Sequence, residues 1–141
     1  MNKAELERYY LETTYSVFID DIQYDCKIGE IAPTAINKLV TKEQPAAILT
    51  ACNPQSQALS SKENESRNSE LKLYLQQHNY SVLKALGQGS GKDWPAEESF
   101  FILNIQKQEA EKLAIDYGQY AYVWLEGKKP VSLVFTGIWY E

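Results

Sequence analysis

The chain has 141 residues, 44% hydrophobic and 23% charged, a composition that suits one globular domain and excludes a disordered or fibrous chain. A net charge of -5, with only Arg8 and Arg67 as arginines and the lysines scattered, argues against a nucleic-acid or anionic-membrane partner, because phosphate binding leans on clustered cations. No apolar run is long enough to span a membrane, MNKAELERYY lacks the apolar stretch of a signal peptide, and two distant cysteines make no disulfide framework, so the expectation is one soluble cytoplasmic domain over residues 1–141.

Residues 2–12 read as a helix capped by Asn2, with Leu6, Tyr9 and Tyr10 at helical spacing. Tyr15 to Ile19 and Ile22 to Ile28 read as paired strands around an Asp20-Asp21 turn, and Gly29 ends the second. Pro33 opens a helix carrying Ile36, Leu39 and Val40. Pro45 precedes a buried strand over 46–52. A polar loop follows, then a helix over 61–78 that begins with a Ser60/Glu63 capping box. A strand at 80–86, a loop from Gly87 to Pro95 and a continuous apolar strand from Ser99 to Ile105 come next. A helix at 107–117 stops at Gly118, and strands 120–125 and 131–139 close the chain as a hairpin. The pattern predicts a single α/β domain: a mixed sheet of about five to seven strands with helices packed on both faces.

The segment from Asn53 to Asn68 concentrates the candidate chemistry. Asn64, Asn68, Leu71 and Leu75 share one helix face. Two amides on a core-facing stripe need partners, either in the preceding loop or in a ligand. The carboxyl end of a strand that feeds a helix is where open α/β sheets place ligands. Arg67 and Lys62, one turn away, read either as partners for a phosphate or carboxylate or as a solvated face. Glu97 and Glu98 are adjacent on a strand and must point to opposite faces, so at most one of them faces a site as general base. Trp94 reads as a stacking ring or a plug over the core, and Gln119 as an amide offered to a ligand or tying a loop. The run Gly87 to Lys92 fails as a phosphate loop, because Leu86 and Asp93 stand where that loop needs Gly and Ser/Thr. His78, the one histidine, reads as a helix C-terminal residue. Cys52 reads as a small buried apolar residue, with a nucleophile the alternative. No spacing of Cys, His and acids suggests a metal, and no cofactor can be named.

Six groups of residues carry a family resemblance: Tyr10-x-x-Thr13-x-Tyr15; Ile28-Gly29; Thr50-Ala51-x-Asn53-Pro54-x-Ser56; Ser60-x-x-x-Asn64-x-x-x-Asn68-x-x-Leu71; Trp94-x-x-Glu97-Glu98-Ser99; and Tyr117-Gly118-Gln119-x-Ala121. Together they resemble the bacterial domain-of-unknown-function family 3293 (DUF3293) over nearly the whole chain. Cys52 stands where members often carry an aromatic residue. The resemblance brings no established activity; it implies that these polar positions form a recurring set serving one site.

Two functional expectations result. The first is a site for a small anionic or nucleotide-like ligand at the Asn53-Pro54 loop, with Asn53, Ser56, Ser60, Asn64, Asn68, Gln119 and Trp94 as binding residues and Glu97 or Glu98 as the catalytic candidate. The second is a non-catalytic protein–protein interaction module, including self-association as a homo-oligomer, with Trp139-Tyr140 as the segment to watch.

Overall fold

The structure is a computed structural model that describes residues 2–90 and 95–138. Its elements run α1 (Lys3–Glu12), β1 (Thr14–Ile19), β2 (Ile22–Cys26), α2 (Thr34–Asn37), β3 (Ala46–Leu49), a 3-10 turn (Pro54–Ser56), α3 (Ser61–Gln77), β4 (Ser81–Gln88), β5 (Glu97–Leu103), α4 (Lys107–Asp116), β6 (Ala121–Leu125) and β7 (Ser132–Phe135). The seven strands form one sheet in the order β2-β1-β4-β5-β3-β6-β7.

The α/β class, the strand number and the helices on both faces are as expected, but every pairing is antiparallel rather than mixed. The reason lies in two interlocked crossovers. β3 leads through α3 to β4, and β5 leads through α4 to β6. Each crossover returns its chain parallel to the strand it left, yet one strand away, and the gap is filled by an antiparallel strand: β5 sits between β3 and β4, and β3 sits between β5 and β6. A helical crossover read from sequence implies parallel direction, not parallel adjacency.

Alternate residues of β3, β5 and β6 feed two cores. Ala47, Leu49, Phe100, Ile102, Tyr122 and Trp124 pack against Leu71 and Leu75 of α3 and Leu113 and Ala114 of α4. Ala46, Ile48, Phe101, Val123 and Leu125 face the other way, where Ile36 and Val40 cover them with Tyr15 and Val17 of β1. Burial on both faces explains why these strands read as continuous apolar runs. α1 lies at one end of this second face, anchored by Leu6, which is 1% exposed.

Local signals place most boundaries. Asp20 and Asp21 both take positive φ, 50° and 66°, as a two-residue hairpin turn with matching twist requires. Asn2 caps α1 and Ser60 caps α3 in a complete capping box with Glu63. The helix after Pro33 is a single turn, shorter than its apolar spacing suggested. β4 runs through Gly87 and Gln88, so the expected loop begins later, because Tyr15 and Glu97 pair with Gly87 on either side. The final strand ends at Phe135, well short of 139.

Candidate functional site

The loop after β3 is held by the start of α3. Asn64 and Asn53 pair reciprocally: Asn53 N–H donates to Asn64 Oδ1 at 2.9 Å and Asn64 Nδ2 to Asn53 Oδ1 at 2.8 Å. One turn deeper, Asn68 Oδ1 accepts the Ala51 N–H at 2.8 Å, while its Nδ2 donates to the Glu98 carbonyl at 2.9 Å and to Cys52 Sγ at 3.1 Å. Arg67 neither awaits an anion nor sits in solvent. Its Nε donates to the Ala51 carbonyl and a terminal nitrogen to the Tyr117 carbonyl, both at 2.6 Å, and this ties the end of β3 to the end of α4. The helical stripe therefore serves the loop, satisfying backbone groups that burial would otherwise leave unpaired.

The loop so held is contorted. Asn53, Gln55 and Ser56 all take left-handed backbone angles, with φ of 46°, 52° and 57°. Asparagine tolerates this region, but glutamine and serine do so at a cost of roughly 1–2 kcal/mol each. The turn between α4 and β6 imposes it: the Gln55 N–H donates to the Gly118 carbonyl at 2.7 Å, and Pro54 packs on Gly118 so closely that a Cβ there would lie 2.8 Å from Pro54 Cβ. Backbone strain over-determined by its surroundings is a recurrent property of functional loops.

What the contortion achieves is convergence. Asn53 swings its Nδ2 to Glu97 Oε2 at 2.6 Å, where β5 begins. Asn53, Ser56, Thr50, Ser99, Glu97 and Gln119 then line one cleft of about 110 Å³ on the α1 side of the sheet, whose apolar wall includes Ile48, Ala121 and Val123. Tyr9 and Tyr10 of α1 and Tyr15 of β1 are also part of the lining. Gln119 is 7% exposed and donates through Nε2 to the carbonyls of Cys52 and Tyr117, which leaves its Oε1 as the group it can offer.

The other described candidates fall outside this cleft. Asn64 and Asn68 line a second, wider concavity of about 440 Å³ with Cys52, Glu65, Pro95 and Glu98; Asn53 and Glu97 are common to both and form the wall between them. Ser60 is exposed and committed to the helix cap. Glu98 is exposed on the opposite face from Glu97, and its backbone carbonyl does its work, accepting from Thr50 and Asn68. Trp94, Trp139 and Tyr140 lie outside the described residues. His78 stacks on Tyr74 with centroids 3.9 Å apart at the far end of α3. Among the described residues no group of three His, Cys, Asp or Glu side chains could hold a metal, and no helix is long and apolar enough to cross a membrane.

Tyr9 was the missed residue, and Tyr10 and Tyr15 entered as site residues only through the family resemblance, with no role given to their rings. Tyr15, Gly87 and Glu97 stand in one cross-strand row over β1, β4 and β5. With no side chain at Gly87, the Tyr15 ring leans across it: a Cβ there would sit 3.5 Å from Tyr15 Cε1. Gly89, two residues on, leaves the same room for Tyr9, whose Cε2 would be 3.5 Å from a Cβ. Two glycines spaced by two, one on β4 and one just past its end, are the signal that rings would lean over this edge.

Cys52 is not poised as a nucleophile. Burial raises its thiol pKa more than the Thr50 and Asn68 hydrogen bonds lower it, and burial pushes Cys26 up to about 12. Since the thiolate is the reactive form, both thiols are expected to react with Ellman's reagent at pH 8 at least about a hundredfold more slowly in the folded protein than in urea. One rapidly titrating equivalent in the native protein would overturn this.

A sequence model of the family described as "Protein of unknown function (DUF3293)" matches residues 49–122, and the chain belongs to that family. The matched stretch carries Asn53, Asn64, Asn68, Glu97 and Gln119; the tyrosines of α1 and β1 precede it. Comparison with curated proteins and with solved structures finds no match.

Proposed function

We propose that the cleft between α1 and the sheet is a small-molecule binding site. The supporting observation is convergence. Asn53, Ser56, Glu97 and Gln119 come from three separate chain segments and meet polar side to polar side over an apolar wall, on a loop held in a strained conformation to bring them there. A few polar groups converging in a mostly apolar concavity is how small-molecule sites are built. Asn53, Ser56 and the Oε1 of Gln119 supply orienting hydrogen bonds. Glu97, not Glu98, is the carboxylate that faces the occupant and would act as base if the site is catalytic. Asn64 and Asn68 act behind the loop as positioning residues.

The occupant expected from the sequence is nucleotide-like or anionic, and the screen includes that class. Among the described residues that line the cleft, the only formal charge is the carboxylate of Glu97. A thermal-shift screen of small metabolites tests the site. A ligand at a hundred times its Kd should stabilise the fold by about 2.7 kcal/mol. Crystals soaked with the hits should then show them within hydrogen-bonding distance of Asn53 or Gln119. Hits that lodge elsewhere, or a broad panel with none, would overturn the proposal.

A further inference from the structure

We infer that the cleft recognises an uncharged primary carboxamide, whose carbonyl accepts from the Tyr15 hydroxyl and whose N–H donates to Oε1 of Gln119. This rests on the cleft being a ligand site and adds the chemical class of the ligand. Three observations lead to it.

The first is a pair of unmet polar groups. Tyr15 and Gln119 are each 7% exposed, and both line the cleft. Among the described residues the Tyr15 hydroxyl and the Gln119 Oε1 have no hydrogen-bond partner. Buried polar side chains are nearly always paired, so two unmet groups in one concavity mark where an occupant supplies what the fold does not. The hydroxyls of Thr50 and Ser99, by contrast, are committed. Thr50 donates to the Glu98 carbonyl and accepts from the Cys52 N–H, and Ser99 donates to the Glu97 carbonyl. Neither contact of the inferred ligand draws on the Glu97 carboxylate, which Asn53 engages at 2.6 Å.

The second is the polarity of the two groups. Gln119 Nε2 donates to the carbonyls of Cys52 at 2.9 Å and Tyr117 at 3.2 Å. Turning the amide over would set its oxygen against both carbonyls, so Oε1 is the atom left to accept. Tyr15 is the donor. Burial first, then the neighbouring Tyr10 and Glu97, hold its pKa well above the usual tyrosine value, and the phenol keeps its proton. One donor and one acceptor call for an acceptor and a donor in the ligand. A carboxamide carries both on one carbon. A carboxylate would set a lone pair against Gln119 Oε1, and an ammonium would leave the Tyr15 proton without an acceptor.

The third is the surrounding surface. Ile48, Ala121 and Val123 form an apolar wall, and the Tyr15 and Tyr9 rings lean over Gly87 and Gly89 to form another. Such walls take the apolar part of a ligand, while a few placed polar groups choose its head. In so dry a setting a mismatched hydrogen-bonding group is left unpaired rather than rescued by water, which sharpens the choice.

The test is an NMR titration of the whole protein with propionamide, set against 2-butanone, propionate, n-propylamine and 1-propanol at fixed pH and ionic strength. Propionamide is expected to perturb the Tyr15 ring and the Gln119 side-chain amide. It should bind at least about fivefold more tightly than each of the other four, the effect of one hydrogen bond. The ketone keeps the carbonyl and the shape but has no N–H, so it reads the Gln119 contact. Tyr15→Phe removes one oxygen that has no partner among the described residues. It should leave the urea midpoint unchanged or raised, yet weaken propionamide binding by about fivefold. If any of the other four binds in the cleft as tightly as propionamide, or Tyr15→Phe binds propionamide undiminished, the carboxamide assignment falls and the ligand site stands. If no probe perturbs the cleft residues while the metabolite screen finds an occupant there, this inference alone falls; if neither finds one, both fall. The wild-type comparison decides the matter even if Tyr15→Phe does not fold.

Discussion

Replacing Asn68 with leucine is expected to lower folding stability by about 2–4 kcal/mol. The substitution keeps the branching at Cγ with a somewhat larger side chain and removes an amide that is 4% exposed. Ala51, wholly buried, loses the acceptor for its N–H, and an unpaired buried donor costs roughly 1–3 kcal/mol by itself. Cys52 Sγ and the Glu98 carbonyl lose their shared donor at the same time, although Glu98 keeps its bond from Thr50. Urea denaturation reads the loss directly. Asn64→Leu should cost less, because Asn64 is only half-buried and water can replace part of its pairing with Asn53. A leucine at 68 that leaves the urea midpoint unchanged would show that the stripe does not hold the loop.

Gly118→Ala is expected to cost about 2–4 kcal/mol by a different route. Gly118 has φ of 71°, a region where an L side chain costs roughly 1–2 kcal/mol, and the new Cβ would stand 2.8 Å from Pro54 Cβ, adding an overpacking penalty of roughly 1–3 kcal/mol. Relief must come from Pro54 moving, and Pro54 sits between Asn53 and the strained pair Gln55 and Ser56, so the cleft is disturbed along with stability. Gly137→Ala supplies the comparison. Its φ is 84° but no atom lies within 4 Å of the added Cβ, so only the backbone strain remains and the cost should be nearer 1–2 kcal/mol. Equal losses at the two positions would mean that the contact with Pro54 is immaterial.

Most of the fold was legible because its elements are locally marked. Asn2 and Ser60 announce helix starts by caps, Gly118 a helix end, and Asp20-Asp21 a hairpin. The pairing directions were not legible. A helix between two strands says that the second runs parallel to the first, and nothing local says that another strand will slip between them. For the site, the helical stripe of Asn64 and Asn68 and the opposite facing of Glu97 and Glu98 follow from periodicity alone. The role of Arg67 did not, since its partners are carbonyls 16 and 50 residues away in the chain. Nor did the tyrosine wall. Tyr9 and Tyr10 lie on α1, remote in sequence from Glu97, and only the register that aligns Tyr15, Gly87 and Glu97 brings the N-terminal segment over the strand.

The central place of β3 has a kinetic consequence. Both of its partners come later in the chain: Ile48 pairs with Phe101 and with Val123, so closing the sheet means closing two long loops whose entropy must be overcome before the contacts reward it. The Asn53 loop hangs from the end of that strand, Glu97 arrives on β5, and Gln119 arrives just ahead of β6, the two strands that flank it. A nascent chain holding α1 through β4 has the tyrosines and the asparagines but no cleft. The cleft comes into being when β5 and β6 dock around β3, which makes ligand binding a reporter of the last pairings to form rather than of local structure in α3 or α1.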